Sequence, residues 1–140
     1  MKEGVQVPSV DFKYRVRTDG KAITYVDKSN GDANPFEWLT VPTSEIFNGK
    51  RVVVFSLPGA FTPTCSTYQV PGFEDMYDEI RNQDIDEVYV VSVNDTFVMR
   101  KWMIDQNIQN IKFIPDGAGE FTQMMGMLVC KPDQGFGNRS

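Results

Sequence analysis

The chain has 140 residues, 41% hydrophobic and 24% charged, with 14 basic against 19 acidic residues for a net charge of −5. That size fits one domain able to bury a core, and the acidic excess argues against a nucleic-acid surface. The sequence contains no histidine, which excludes Ser-His-Asp and Cys-His catalysis and any histidine-dependent metal site. Two cysteines, Cys65 and Cys130, do not make a disulfide framework. The first ten residues lack the apolar core of a signal peptide, and no apolar run approaches the roughly 20 residues of a membrane span. A reducing, cytoplasmic setting without membrane association is the expectation.

Phe12, Tyr14 and Val16 alternate with Lys13, Arg15 and Arg17, the pattern of a half-buried strand. Asp19-Gly20 is a hairpin turn signal, Ala22 to Val26 can return as the partner strand, and residues 28–35 read as a polar loop. Trp38 to Val41 suggests a short edge strand, and Thr43 to Phe47 a single helical turn ended by Asn48-Gly49. Val52 to Leu57 is an almost unbroken apolar run, the habit of a parallel strand buried on both faces. Pro58-Gly59 stops it. Pro71 can open a helix whose Phe73, Met76, Tyr77 and Ile80 fall at core spacing. The acidic residues Glu74, Asp75, Asp78, Glu79, Asp84, Asp86 and Glu87 then form a solvated helix face and its following loop. Glu87 to Val93 is a second buried strand, Asn94 or Asp95 caps the next helix, and Val98 and Trp102 lie on its packed side. Ile111 to Ile114 is a third strand, and Asp116-Gly117 turns into a last helix packed through Phe121, Met124 and Met125. Strands alternating with helices mean an α/β fold with parallel crossovers.

In such sheets reactive loops sit beyond the carboxyl ends of the strands, and there the chain carries Cys65. Pro63 suits the start of a helix because its missing N–H would be unpaired anyway. The first turn of a helix presents free backbone N–H groups at the positive end of the macrodipole, a setting that favours a thiolate over a thiol. Thr62 adds a hydroxyl three residues before the sulfur. A lone cysteine can equally be a small buried hydrophobe, and spacing alone leaves both readings open. A C-x-x-C dithiol motif is excluded, since Thr62 stands where its first cysteine would be. A phosphatase loop is excluded too, since Pro71 occupies the place of its arginine.

The nine residues Pro58-Gly59-Ala60-Phe61-Thr62-Pro63-Thr64-Cys65-Ser66 closely resemble the active-site loop of peroxiredoxins, thiol peroxidases of thioredoxin-like fold. The branch that holds the plant type II, mammalian mitochondrial and peroxisomal, and glutaredoxin-fused bacterial enzymes is the most similar. Gln69 to Phe73, Val91 to Val98, Ile114 to Gly117 and Gly135 to Ser140 resemble the same branch. The resemblance implies a single thioredoxin-like domain over residues 1–140, with a central mixed sheet flanked by helices and an N-terminal hairpin. It implies Cys65 as the peroxidatic thiol, Thr62 hydrogen-bonding the peroxide, and Pro58 shielding the pocket. Backbone groups at Gly59, Thr64 and Cys65 would hold the peroxide oxygens, with no metal or organic cofactor.

Some relatives carry a resolving cysteine where this chain has Val90. Cys130, in a segment that reads as a loop, matches no resolving position of the family, although it is the one remaining candidate thiol. A one-cysteine cycle recycled by glutathione and glutaredoxin (or thioredoxin) is therefore expected, in a homodimer. The family's thiolate-binding arginine lies on a strand just beyond the block that ends at Ser140, and Arg139 is not that residue by position. The family's C-terminal strands are thus expected to be missing and the chain to be a shortened member, or, if complete, a weak or inactive peroxidase prone to association. The alternative is a non-enzymatic redox sensor or partner-binding module that retains the loop.

Overall fold

The computed structural model describes residues 3–18 and 36–140. The expected turn at Asp19-Gly20, strand at Ala22 to Val26 and loop at residues 28–35 lie outside the described residues. β1 (Asp11–Arg17) pairs antiparallel with β2 (Phe36–Pro42) along its whole length, from Asp11 opposite Pro42 to Arg17 opposite Phe36. Cross-strand contacts suit that register: Arg15 lies 5.4 Å above the Trp38 ring, and Lys13 Nζ donates to Thr40 Oγ1 at 2.6 Å. α1 (Thr43–Phe47) follows as the single helical turn the sequence predicts.

β3 (Val52–Ser56), β4 (Glu87–Ser92) and β5 (Lys112–Pro115) form a parallel sheet in the order β3-β4-β5. Parallel neighbours need crossovers, and these are α2 (Val70–Asp75) with α3 (Tyr77–Arg81), then α4 (Thr96–Asp105). α5 (Glu120–Met124) leads to a small antiparallel hairpin, β6 (Val129–Lys131) with β7 (Phe136–Arg139). Cys130, read from the sequence as part of a loop, therefore stands on a strand opposite Asn138, beside a bulge at Lys131.

β4 separates two apolar clusters. Val88 and Val90 face Leu57, Cys65, Met99 and Trp102, whereas Tyr89 and Val91 face Phe12, Ile46, Ile114 and Phe121. The run Val88 to Ser92 is thus buried on both sides, as its composition predicts. β3 departs from the same expectation, since each of its residues is only half-buried. The reason is its place in the sheet: among the described residues it pairs with β4 alone, so an edge strand shares its cover with one neighbour.

Two helices differ from their predicted faces. Met76 sits at the break between α2 and α3, with φ −93° and ψ 5°, and is 51% exposed, whereas Tyr77 is buried. On α5 it is Phe121 and Thr122 that are buried, with Met124 turned to solvent.

The acidic cluster is not uniformly solvated. Asp86 Oδ2 accepts the Arg51 N–H at 2.7 Å, and Glu87 accepts from the Tyr77 hydroxyl at 2.9 Å and pairs with Lys112. Glu74 does most: its carboxylate accepts the backbone N–H groups of Gln109, Asn110 and Ile111 and the Asn110 amide, all at 2.9–3.0 Å. This clamps the turn before β5 to α2. Burial would raise the Glu74 carboxyl, but the bonds from Ile111, Gln109 and Asn110 outweigh it and hold the group below its ordinary value. Glu74→Gln is therefore expected to cost about 1–3 kcal/mol at pH 7. The carboxylate's contribution is complete above the ordinary carboxyl range and fades as pH falls through the lower folded value. Urea unfolding of both proteins should show their difference shrinking below about pH 4.

Candidate functional site

The segment after β3 delivers Cys65 to the carboxyl end of the sheet. The Thr62 carbonyl accepts the first helical bond, from Ser66 N–H at 3.0 Å, which makes Pro63 the first helical residue and Cys65 the third. The helix therefore starts eight residues earlier than Pro71 suggests. From Cys65 to Gln69 it is wound as a π-helix, with Val70 N–H donating to the Cys65 carbonyl five residues back. A proline inside an α-helix clashes with the carbonyl four residues before it. The wider π turn ahead of Pro71 lets the helix continue through it.

Cys65 is 3% exposed and packs in the cluster with Leu57, Val70 and Trp102. Its N–H and that of Thr64 have no backbone acceptor among the described residues, as the first turn requires. Thr64 itself is exposed, as is Pro58, while Gly59 is buried and Thr62 half-buried. Thr62 donates its hydroxyl proton to the Gly59 carbonyl at 2.7 Å. The oxygen keeps its lone pairs for a further donor. Between them Phe61 has φ +65°, a left-handed conformation that costs an aromatic residue about 1–2 kcal/mol.

What holds this strained loop is a residue whose part the sequence did not disclose. Asn94 Oδ1 accepts both the Ala60 N–H at 3.0 Å and the Ser92 hydroxyl at 2.6 Å. The helix cap is Asp95 alone, which accepts Val98 N–H at 2.9 Å. The available signal was an Asn-Asp pair directly after a buried strand, one amide more than a cap needs. Trp102 Nε1 donates to Ser66 Oγ at 2.9 Å, tying α4 to the first turn of the cysteine helix. From the far end of the chain, Ser140 Oγ donates to the Leu57 carbonyl at 2.8 Å. The Arg139 Nε atom, buried and without a hydrogen-bond partner among the described residues, lies against Gly59, 3.8 Å from where a Cβ there would stand.

Cys65 and Cys130 are both free, and Cys130 is exposed on β6. Asp116 supports the neighbouring turn, its buried carboxylate accepting the Phe121 and Thr122 N–H groups and the Thr122 hydroxyl at 2.7–3.1 Å. Asn94→Ala would orphan the Ala60 N–H and is expected to cost about 1–3 kcal/mol. It should also speed alkylation of the buried Cys65 by iodoacetamide. Denaturant unfolding and the modification rate check the two effects separately.

Residues 35–136 match the family model described as Redoxin. A peroxiredoxin of Rhizobium etli is 52% identical over 135 residues, covering 96% of this chain and 70% of that protein. Peroxiredoxin-2D of Arabidopsis thaliana is 45% identical over 102 residues, covering 72% of this chain and 63% of that one. Among solved structures, the Plasmodium falciparum antioxidant protein, a 1-Cys peroxiredoxin, superposes with a TM-score of 0.82 at 38% identity, covering 98% of this chain and 74% of that chain. The chain belongs to the peroxiredoxins, in the branch similar to the plant type II enzymes, and has their thioredoxin-like fold.

Proposed function

We propose that the chain is a thiol peroxidase that reduces hydrogen peroxide and organic hydroperoxides through Cys65, in a one-cysteine cycle recycled by glutathione and glutaredoxin. One observation carries the reading: Cys65 is the third residue of a helix at the carboxyl end of the sheet, with its own and the Thr64 N–H groups without a backbone acceptor among the described residues. The Cys65 thiolate attacks one peroxide oxygen; an S–O bond forms, the O–O bond breaks, and the departing oxygen takes a proton to leave as water or an alcohol. Developing charge on that oxygen is stabilised by these N–H groups of Thr64 and Cys65. Thr62 orients the substrate: with its own proton on the Gly59 carbonyl, its oxygen accepts the peroxide O–H. Pro58, exposed at the mouth of the loop, limits the approach of water.

The sulfenic acid then condenses with glutathione to a mixed disulfide and water, and a second thiol releases the reduced enzyme. Cys130 stands on β6, exposed and unpaired, and takes no part. The description of the Plasmodium relative as a 1-Cys peroxiredoxin supports this division. The active form is a homodimer in a reducing compartment. The near-complete burial of Cys65, at 3% exposure, favours a second reading in which the loop serves a redox sensor or partner-binding module.

Assay of the chain with hydrogen peroxide, glutathione and glutaredoxin separates the two. Turnover is expected, lost in Cys65→Ser and kept in Cys130→Ser; no turnover in the parent chain would favour the sensor. Thr62→Val is expected to lower kcat/KM by roughly 100-fold, the scale of one oriented contact to the reacting oxygens. Thr62→Ser should restore most of it.

A further inference from the structure

The outer face of the β1–β2 hairpin carries a surface that the chemistry at Cys65 does not use. Side chains alternate across a strand. With Arg15 opposite Trp38 and Arg17 opposite Phe36, that alternation puts Lys13, Arg15 and Arg17 on one face with Phe36, Trp38 and Thr40. Tyr14 and Val41 take the other face and pack on the core. α4 adds Phe97 and Arg100 to the outer face. The Arg100 guanidinium lies 4.9 Å from the Phe36 ring and 5.8 Å from the Phe97 ring, and Trp38 meets Phe97 edge to face at 5.7 Å. Arg15 lies 5.4 Å above Trp38. Cations and aromatic rings thus alternate over one surface of an acidic chain.

Folding accounts for little of this arrangement. Trp38 is 58% exposed and Phe97 47%, so about half of each ring gains nothing from the core. Lys13, Arg15 and Arg100 have no carboxylate partner among the described residues. Arg100 spends one of its five N–H donors on the Arg15 carbonyl, at 3.4 Å. Burial and then the neighbouring Arg15 both disfavour the Arg100 charge, a cost that an incoming carboxylate would offset. Asp11 and Glu120 bound the face at its Lys13 end, beside a hollow of about 210 Å³. Asp11 is four residues from Arg15, or about 13 Å of strand, which separates it from the guanidiniums. Aromatic residues and arginine are the types that concentrate in protein–protein contacts. A guanidinium already laid on a ring has also lost part of the freedom that binding would cost. Nucleic acid fits less well: the net charge of −5 repels a polyanion, and Trp38 and Phe97 cross at 88° instead of forming a stacking platform.

We propose that this face docks an acidic segment of a partner protein, its carboxylates on Arg15 and Arg100 and its apolar side chains against Trp38 and Phe97. Guanidinium forks match planar carboxylates, and the half-exposed rings supply the apolar part of the contact. At 100° per residue, Arg100 lies on the side of α4 turned away from Trp102 and the cysteine helix. A partner seated here leaves the thiol uncovered, and the inference holds independently of any chemistry at Cys65.

The two tryptophans of the chain serve as reporters, since Trp38 is on this face and Trp102 is fully buried in the cluster of Cys65. The test is a titration of the chain, carrying isotope-labelled tryptophan, with a dodecapeptide of alternating Glu and Tyr, followed by the two indole N–H signals. The same peptide with Lys in place of Glu and a single-stranded thymidine dodecamer serve as comparison probes. A saturable shift of Trp38 with Trp102 unmoved is expected, with the Lys peptide about tenfold weaker or more. Arg100→Gln should weaken the Glu peptide about fivefold, and Arg15→Gln should do likewise if Arg100→Gln does not fold. Arg15→Lys, which keeps the charge, should lose less than Arg15→Gln. An unmoved Trp38, equal binding of the Lys peptide, or unchanged affinity in both Gln variants would overturn the proposal. Tighter binding of the thymidine dodecamer would assign the face to nucleic acid, and shifts of Trp38 that follow protein concentration alone would assign it to a second copy of the chain; either result overturns it too.

Discussion

From Val88 to Ser92 β4 is buried on both faces, and that constraint orders the rest of the molecule. Its side chains alternate between two clusters, with Val88 and Val90 on one side and Tyr89 and Val91 on the other. A slip of one residue would exchange the two sets, so the register of β3 and β5 against it is held from both sides. The same constraint sets what happens where the strand ends. Ser92 is fully buried, and its hydroxyl and carbonyl serve Asn94 Oδ1 and the Asp116 N–H. Asn94 in turn holds the Ala60 N–H of the cysteine loop. The position of the thiol is thereby referred back to the strand buried on both faces.

The loop itself stores some conformational cost. Phe61 is left-handed, the helix behind it opens with a π turn, and Pro71 sits inside that helix. Each is unfavourable alone, and each is opposed by a contact from elsewhere. Asn94 bonds Ala60, Trp102 bonds Ser66, and Ser140 bonds the Leu57 carbonyl. Local rules broken together at one place, and compensated by distant residues, are the mark of a site rather than of scaffold. α4 has a double part here, since Trp102 reaches the cysteine helix while Arg100 reaches the Arg15 carbonyl of β1.

Much of the fold was legible in the sequence. The three parallel strands, the single turn of α1 and the place of Cys65 after the first sheet strand follow from β-branched runs, Gly and Pro punctuation, and the loop motif. The errors share a cause. Val52 to Ser56 and Glu87 to Ser92 have similar composition, yet only the second is buried on both faces, because burial depends on the number of neighbours a strand finds. Met76 and Met124 fit a helical period but lie where a helix breaks or turns its back on the core. Glu74 looked like one solvated charge among seven, and became a clamp because residues 109–111 come to it from 35 positions away.

The sequence by itself determined the three parallel strands, the α/β class and the family, since propensities, turn residues and a contiguous nine-residue motif are local properties. Tertiary structure alone decided which strand is an edge, which amide oxygen steadies the cysteine loop, and that Arg100 of α4 donates to the Arg15 carbonyl of β1. Those facts depend on residues brought together from separate parts of the chain. No local pattern records a partner 34 or 85 positions distant.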